Sequence, residues 1–387
     1  MRRQTIISLF VLSLVGGMLL PDCGAPESSR QNESNTIVLI WNKGFEKQTG
    51  NDVVRGLMWT FSWLGADLPE GCIENSIRVQ DSVKFTVNLD GLGFSEAAGK
   101  ELRVICDSIR NTGEYKARGG LDVGEFIMLT LGSSNHYYRI VGAPVKFTEF
   151  VKTYHLDSTV NVFGVTVSSI SAGHRKIIFS KDTSLFHCGF MAIEGHGSLD
   201  SGTFQPSIYE CFDIMPNGQL RFMIYDSNGN LISGTPQEVG DAGKPTKCLW
   251  CHETSIQTLF INNIPVAGMM TNEEFLSIRD SMQARLQRYR FSLKSEMNYE
   301  NYPEHTQAEL LYITYMEPSV MHIANEWKMT EDRVRELLKQ EHSYVFEEFD
   351  YIGNVYPRET VNKYDTIKAI KVPSSAREVG EEVNYLR

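Results

Sequence analysis

The spacing of apolar residues changes along the chain and divides it. Arg2 and Arg3 precede a largely apolar run from Ile6 to Leu20, which turns polar at Pro21-Asp22. A basic start followed by so short a run predicts an export signal over residues 1–22, not a spanning helix. The polar stretch Glu27 to Asn35 predicts a flexible tether over 23–36. In 37–153, Val53, Leu57, Met58, Phe61 and Leu64 recur at helical spacing, as do Leu102, Ile105 and Ile109, with short strands between them.

Residues 154–246 read as strand-rich. Val160 and Val162, then Val165 and Val167, alternate with polar neighbours, and Lys176 to Phe179 reads as a further strand. Ile208 to Tyr225 predicts a hairpin turning at Asn217-Gly218, and Asn228-Gly229 supplies a second turn. Gly234 to Lys247, with its Pro and Gly residues, reads as a loop into 247–387, which is mostly helical. There Thr271 and Glu274 form a capping box ahead of Phe275, Ile278, Met282, Leu286, Tyr289 and Leu293 on one helix face. The pattern predicts an α+β chain: a mixed N-terminal region, a strand-rich middle and a mostly helical C-terminal region.

Composition narrows the classes. The chain has 387 residues, 42% of them hydrophobic, so it can bury a substantial core. A net charge of −11 argues against nucleic acid, which demands clustered Lys and Arg. It favours a redox partner with a basic docking surface. Pro318 to Leu338 has the outline of a helix-turn-helix, but an exported acidic chain meets no chromosome, and two packed helices are the better reading. Gly119-Gly120-Leu121-Asp122-Val123-Gly124 lacks the spacing of a phosphate-binding loop. His187, Glu194 and His196 read as ordinary strand and loop polar residues, with a metal site across a hairpin as the alternative. Cys72, Cys106, Cys188 and Cys211 allow two disulfides in three pairings, and Cys106 also reads as a buried thiol within an apolar helix.

Cys248-Leu249-Trp250-Cys251-His252 is a C-x-x-C-H motif. It is similar to the attachment motif of c-type cytochromes, a resemblance that covers these five residues. The resemblance implies one covalent haem c, with thioether bonds from Cys248 and Cys251 and His252 as an axial ligand. The geometry agrees, because positions i, i+3 and i+4 share one side of a helix. Haem c is attached on the exported side of a membrane, so the export signal and the motif support each other. Zinc ligation, a thioredoxin-type pair and a structural disulfide are the rival readings. Leu20-Pro21-Asp22-Cys23-Gly24 resembles a bacterial lipobox, with Asp22 as the departure from it. Lipidation at Cys23 would make the chain a periplasmic or cell-surface lipoprotein held to a membrane by its acyl chains. Cleavage after Ala25 is the alternative.

The second axial ligand has several candidates. Met316, before Pro318, has the separation from His252 that the distal methionine of class I cytochromes c shows, and is the preferred one. Met269, Met270, Met282, Met297, Met321 and Met329 are the other thioethers, and His305, His322 and His342 the imidazoles. Electron transfer is the leading expectation for function. The alternatives are a haem-free surface lipoprotein that binds a partner or glycan, and a haem enzyme or sensor with an open distal position.

Overall fold

A computed structural model describes residues 35–157, 160–181, 184–258, 264–367, 370 and 378–387. Cys23, the expected export signal and most of the expected tether lie outside the described residues. The first strand, β1 (Thr36–Ile40), alternates buried and half-buried positions and leads into α1 (Gly50–Trp63), whose start Thr49 and Asp52 close with a capping box. Strands β2 (Ile77–Asp81) and β3 (Lys84–Asn88) precede α2 (Glu96–Asn111), and β4 (Leu121–Asp122) opens α3 (Val123–Thr130). The sheet order is β2-β3-β1-β4, with β4 parallel to β1 and the other pairings antiparallel. Helices α4 (Ser134–Ile140) and α5 (Phe147–Thr153) complete this mixed region.

Strands β5 (Val160–Val165), β6 (Arg175–Ser180), β7 (Phe190–His196), β8 (Gln205–Ile214) and β9 (Leu220–Asp226) form an antiparallel meander in sequence order. Gly218 sits at φ 82° in the β8–β9 turn, a conformation that favours glycine. Helices cover both faces, which explains the short stretches of buried residues in the strands. On one face Phe147 of α5 stacks on Tyr209 at 4.2 Å, and Tyr154 Oη donates to Asp213 at 2.7 Å. The other face receives α6 (Pro245–His252) and α7 (Asn272–Ser292). The Thr271–Glu274 capping box starts α7 as the sequence predicts.

Helix α8 (Thr306–Met316) is buried nearly all round. It packs between α1 and α3, and glycines permit both approaches. A Cβ on Gly56 of α1 would stand 2.5 Å from Leu311 Cδ1, and one on Gly124 of α3 would stand 2.2 Å from Leu311 O. The glycine-rich stretch before α3 thus serves chain reversal, with Gly119 at φ 70°, and close helix packing. Helices α9 (Val320–Trp327) and α10 (Glu331–Leu338) pair around Ile323, Val334 and Leu338 in a small satellite core. The architecture is α+β, with a strand-rich middle and a helical C-terminal region. One main core runs through all three stretches, from Ile37 past Phe212 to Met316.

Candidate functional site

Sequence fixes both ends of α6. Pro245 occupies the first turn, where a missing N–H goes unnoticed, and the chain leaves through Glu253 and Thr254, at φ 46° and 60°. Two consecutive non-glycine residues in the left-handed region are strained, so the surroundings must hold them. Thr254 Oγ1 donates to Gln219 Oε1 in the β8–β9 hairpin. The Arg290 guanidinium of α7 donates to Thr254 O at 2.7 Å and to Gly218 O at 2.9 and 2.7 Å. This clamp sets the backbone that directly follows the C-x-x-C-H motif.

Cys248, Cys251 and His252 lie on one face of α6 and border one cleft between that helix and the five-stranded sheet. The back of the helix is buried, with Trp250 5.1 Å from the ring of Tyr312 on α8. His252 packs its ring 5.0 Å from Phe222 and 5.7 Å from Phe212. Its Nδ1 lies 3.3 Å from Ser255 O. A carbonyl only accepts, so Nδ1 carries the proton and Nε2 keeps its lone pair. Burial lowers the His252 pKa to about 4, which keeps the imidazole neutral, the form that binds metals. Cys248 is half-buried, and burial pushes its thiol up, with a smaller contribution from the Glu210 charge; Cys251 is exposed at the mouth.

The facing wall is aromatic and aliphatic. Ile177, Phe190, Ala192 and Phe212 point to the cleft from neighbouring strands, and Phe190 stacks on Phe212 at 4.5 Å. Phe275 of α7 closes the far end, stacked at 4.3 Å on Phe163. One buried ionic cluster interrupts this wall. Arg175 pairs with Glu194 and, at 2.7 Å, with Glu210, while Thr235 Oγ1 donates to Glu210 and Ser171 Oγ to Glu194. Burial raises the Glu194 pKa to about 7 against the pull of Arg175, and the Glu210 charge adds to the rise. Counting the part open to solvent, the space between α6 and the sheet amounts to about 950 Å³.

Cys248, Cys251 and His252 are the residues that would hold a covalently attached porphyrin. The thiols one turn apart meet the same void as the neutral imidazole, and the ring wall opposite is suited to an apolar macrocycle. Among the described residues, no three His, Cys, Asp or Glu side chains converge as ligands of a single ion. The hairpin cluster does not assemble either: Glu194 turns to Arg175, while His196 is exposed at the end of β7. Cys72, Cys106, Cys188 and Cys211 are buried thiols with no disulfide among the described residues, and Cys188 Sγ lies 3.7 Å from Met282 Sδ.

Met316 does not meet the cleft. It ends α8 at 2% exposure and is not among the residues lining the cleft, while Tyr312, one turn earlier on α8, packs on Trp250 at the back of α6. The other candidates are elsewhere too. Met269 closes over Gly164 on β5, and Met270 N donates to Val162 O at 2.9 Å. His305 is packed 6.0 Å from both Trp59 and Trp63, His322 Nε2 stands 3.3 Å from Asp122 Oδ2, and His342 lies against Tyr344. Met297 is in the main core and Met329 is exposed. No spacing or motif marks the Arg175–Glu194–Glu210 cluster or the Arg290 clamp. Strand alternation marks the cleft face only once the pairing register is known. No protein-family model, curated protein or solved structure matches this chain.

Proposed function

We propose that this chain is an exported monohaem c-type protein whose work is redox chemistry at one iron. The supporting observation is the convergence of Cys248, Cys251 and His252 on a single ring-walled cleft, with Nδ1 of His252 already committed to Ser255 O. When bound, haem c supplies a one-electron iron centre or a place for iron to hold a small ligand. The chain's own residues would do the rest. Cys248 and Cys251 anchor, His252 presents Nε2, and Phe190, Phe212 and Phe222 exclude water from one side. The Ser255 carbonyl orients the imidazole and raises its basicity as a ligand. An acidic surface would draw a basic redox partner.

Protein matured in a host that assembles c-type cytochromes should retain haem on a denaturing gel. Cys248→Ala with Cys251→Ala should lose it, and a colourless wild type from such a host overturns the reading. The export half of the proposal has its own test. If Cys23 is lipidated, Cys23→Ser should move the protein from the membrane fraction to the soluble one. Unchanged fractionation would remove the lipid anchor and leave the haem proposal intact.

A further inference from the structure

An iron bound by His252 on one side is completed by a thioether, an imidazole, a weaker donor, or something from solution. Every thioether and imidazole candidate following the motif lies off the cleft, most with identifiable neighbours of their own. Two sulfur residues before the motif border the cleft, Met191 and Cys211. They are paired directly across β7 and β8, one register step from the Phe190–Phe212 pair. Alternation therefore turns both side chains to the opposite sheet face, the one that packs on α5. Among the described residues, His252 is then the one imidazole or thioether directed at this void.

Each cation around the cleft has a carboxylate partner, and Asp241 adds a further acidic group to the lining. Arg175 sits between Glu194 and Glu210, Lys247 pairs with Glu378 at 2.9 Å, and Arg279 pairs with Asp280 at 3.0 Å. An entering anion would lose its hydration and find no surplus cation to replace it. A neutral diatomic molecule would lose little, since Ile177, Ala192 and the phenylalanine rings form most of the wall.

We infer that the chain leaves the position across from His252 open to an exogenous ligand, and that the ligand class is a small neutral diatomic gas, not an anion. This rests on the haem reading above and makes ligand sensing or ligand chemistry the better account of the iron than electron carriage alone. The test uses full-length holo-protein whose covalent haem has first been checked on a denaturing gel. Carbon monoxide is titrated into the ferrous form and azide into the ferric form. Carbon monoxide should shift the Soret band promptly and to saturation, while azide binds weakly. Glu194→Gln with Glu210→Gln frees the Arg175 charge and should tighten azide binding by about tenfold or more while carbon monoxide binding is unchanged. A ferrous spectrum indifferent to carbon monoxide, or a ferric sulfur-to-iron band in the red, overturns the open position while covalent haem stands. Tight azide binding by the wild type, or no gain in the double variant, overturns the ligand class. A protein without haem on the gel fails at the earlier proposal instead. The wild-type titrations decide the main point even where the double variant does not fold.

Discussion

Glu125 is wholly buried on α3, and neither of its carboxyl oxygens has a hydrogen-bond partner among the described residues. It belongs to a second ionic cluster, most of it far in sequence from the C-x-x-C-H motif. There Arg358 donates to Glu326 at 2.8 Å and Arg118 pairs with Glu114 at 3.2 Å. Burial, then the charges of Glu114 and Asp122, push the Glu125 carboxyl well above its ordinary value, while nearby His322 helps hold Asp122 below its own. A raised carboxyl pKa means that the folded chain keeps a proton the unfolded chain releases. Stability therefore falls as pH rises above the unfolded value of about 4.3, until the folded value is passed. Glutamine has the same shape and no proton to lose. Glu125→Gln should gain on the wild type with rising pH, by up to about 1.4 kcal/mol per pH unit across that window. Denaturant titrations between pH 5 and pH 8 read this directly, and parallel pH profiles would mean that Glu125 is ionised and stabilised in the fold.

Local signals were legible where one short segment decides its own conformation. Thr271 and Glu274 set the start of α7, and Asn217-Gly218 sets the β8–β9 turn, because capping and turn chemistry act over a few residues. The motif face of α6 was legible for the same reason, since i, i+3 and i+4 fall together on any helix. The partner of a buried face was not legible. Apolar residues all round α8 say that it is enclosed, not that α1 and α3 enclose it, and so the spacing of Met316 from His252 did not reveal that Met316 is buried in the main core and does not line the cleft. The opposite wall of the cleft depends on strand register, which pairs residues tens of positions apart and flips every side chain with a one-residue slip.

Across the whole molecule, the composition break before α6 is not a break in the core. Trp59 on α1 meets Tyr299 edge-on at 6.1 Å, and Asn217 at the β8–β9 turn donates to Ser62 O and Ala66 O at 2.7 and 2.9 Å. Leu310, Leu311, Tyr312, Ile313, Tyr315 and Met316 are all at most 2% exposed, largely through packing on residues that precede 247. Burial of each such side chain contributes about 1.5–3 kcal/mol. Together they rival the roughly 5–15 kcal/mol that separates a folded domain from its unfolded chain. A chain ending at Thr246 would also expose the cleft face of the sheet, with Phe190, Phe212 and Phe222 uncovered. Such a fragment should therefore lack a cooperative thermal transition, lose its near-ultraviolet dichroism and bind a hydrophobic dye. A sharp, reversible transition in the fragment would mean that residues before 247 fold alone and that the helical region merely docks on them. The cleft beside α6 would then sit at a domain interface open to hinge motion, instead of inside one continuous core.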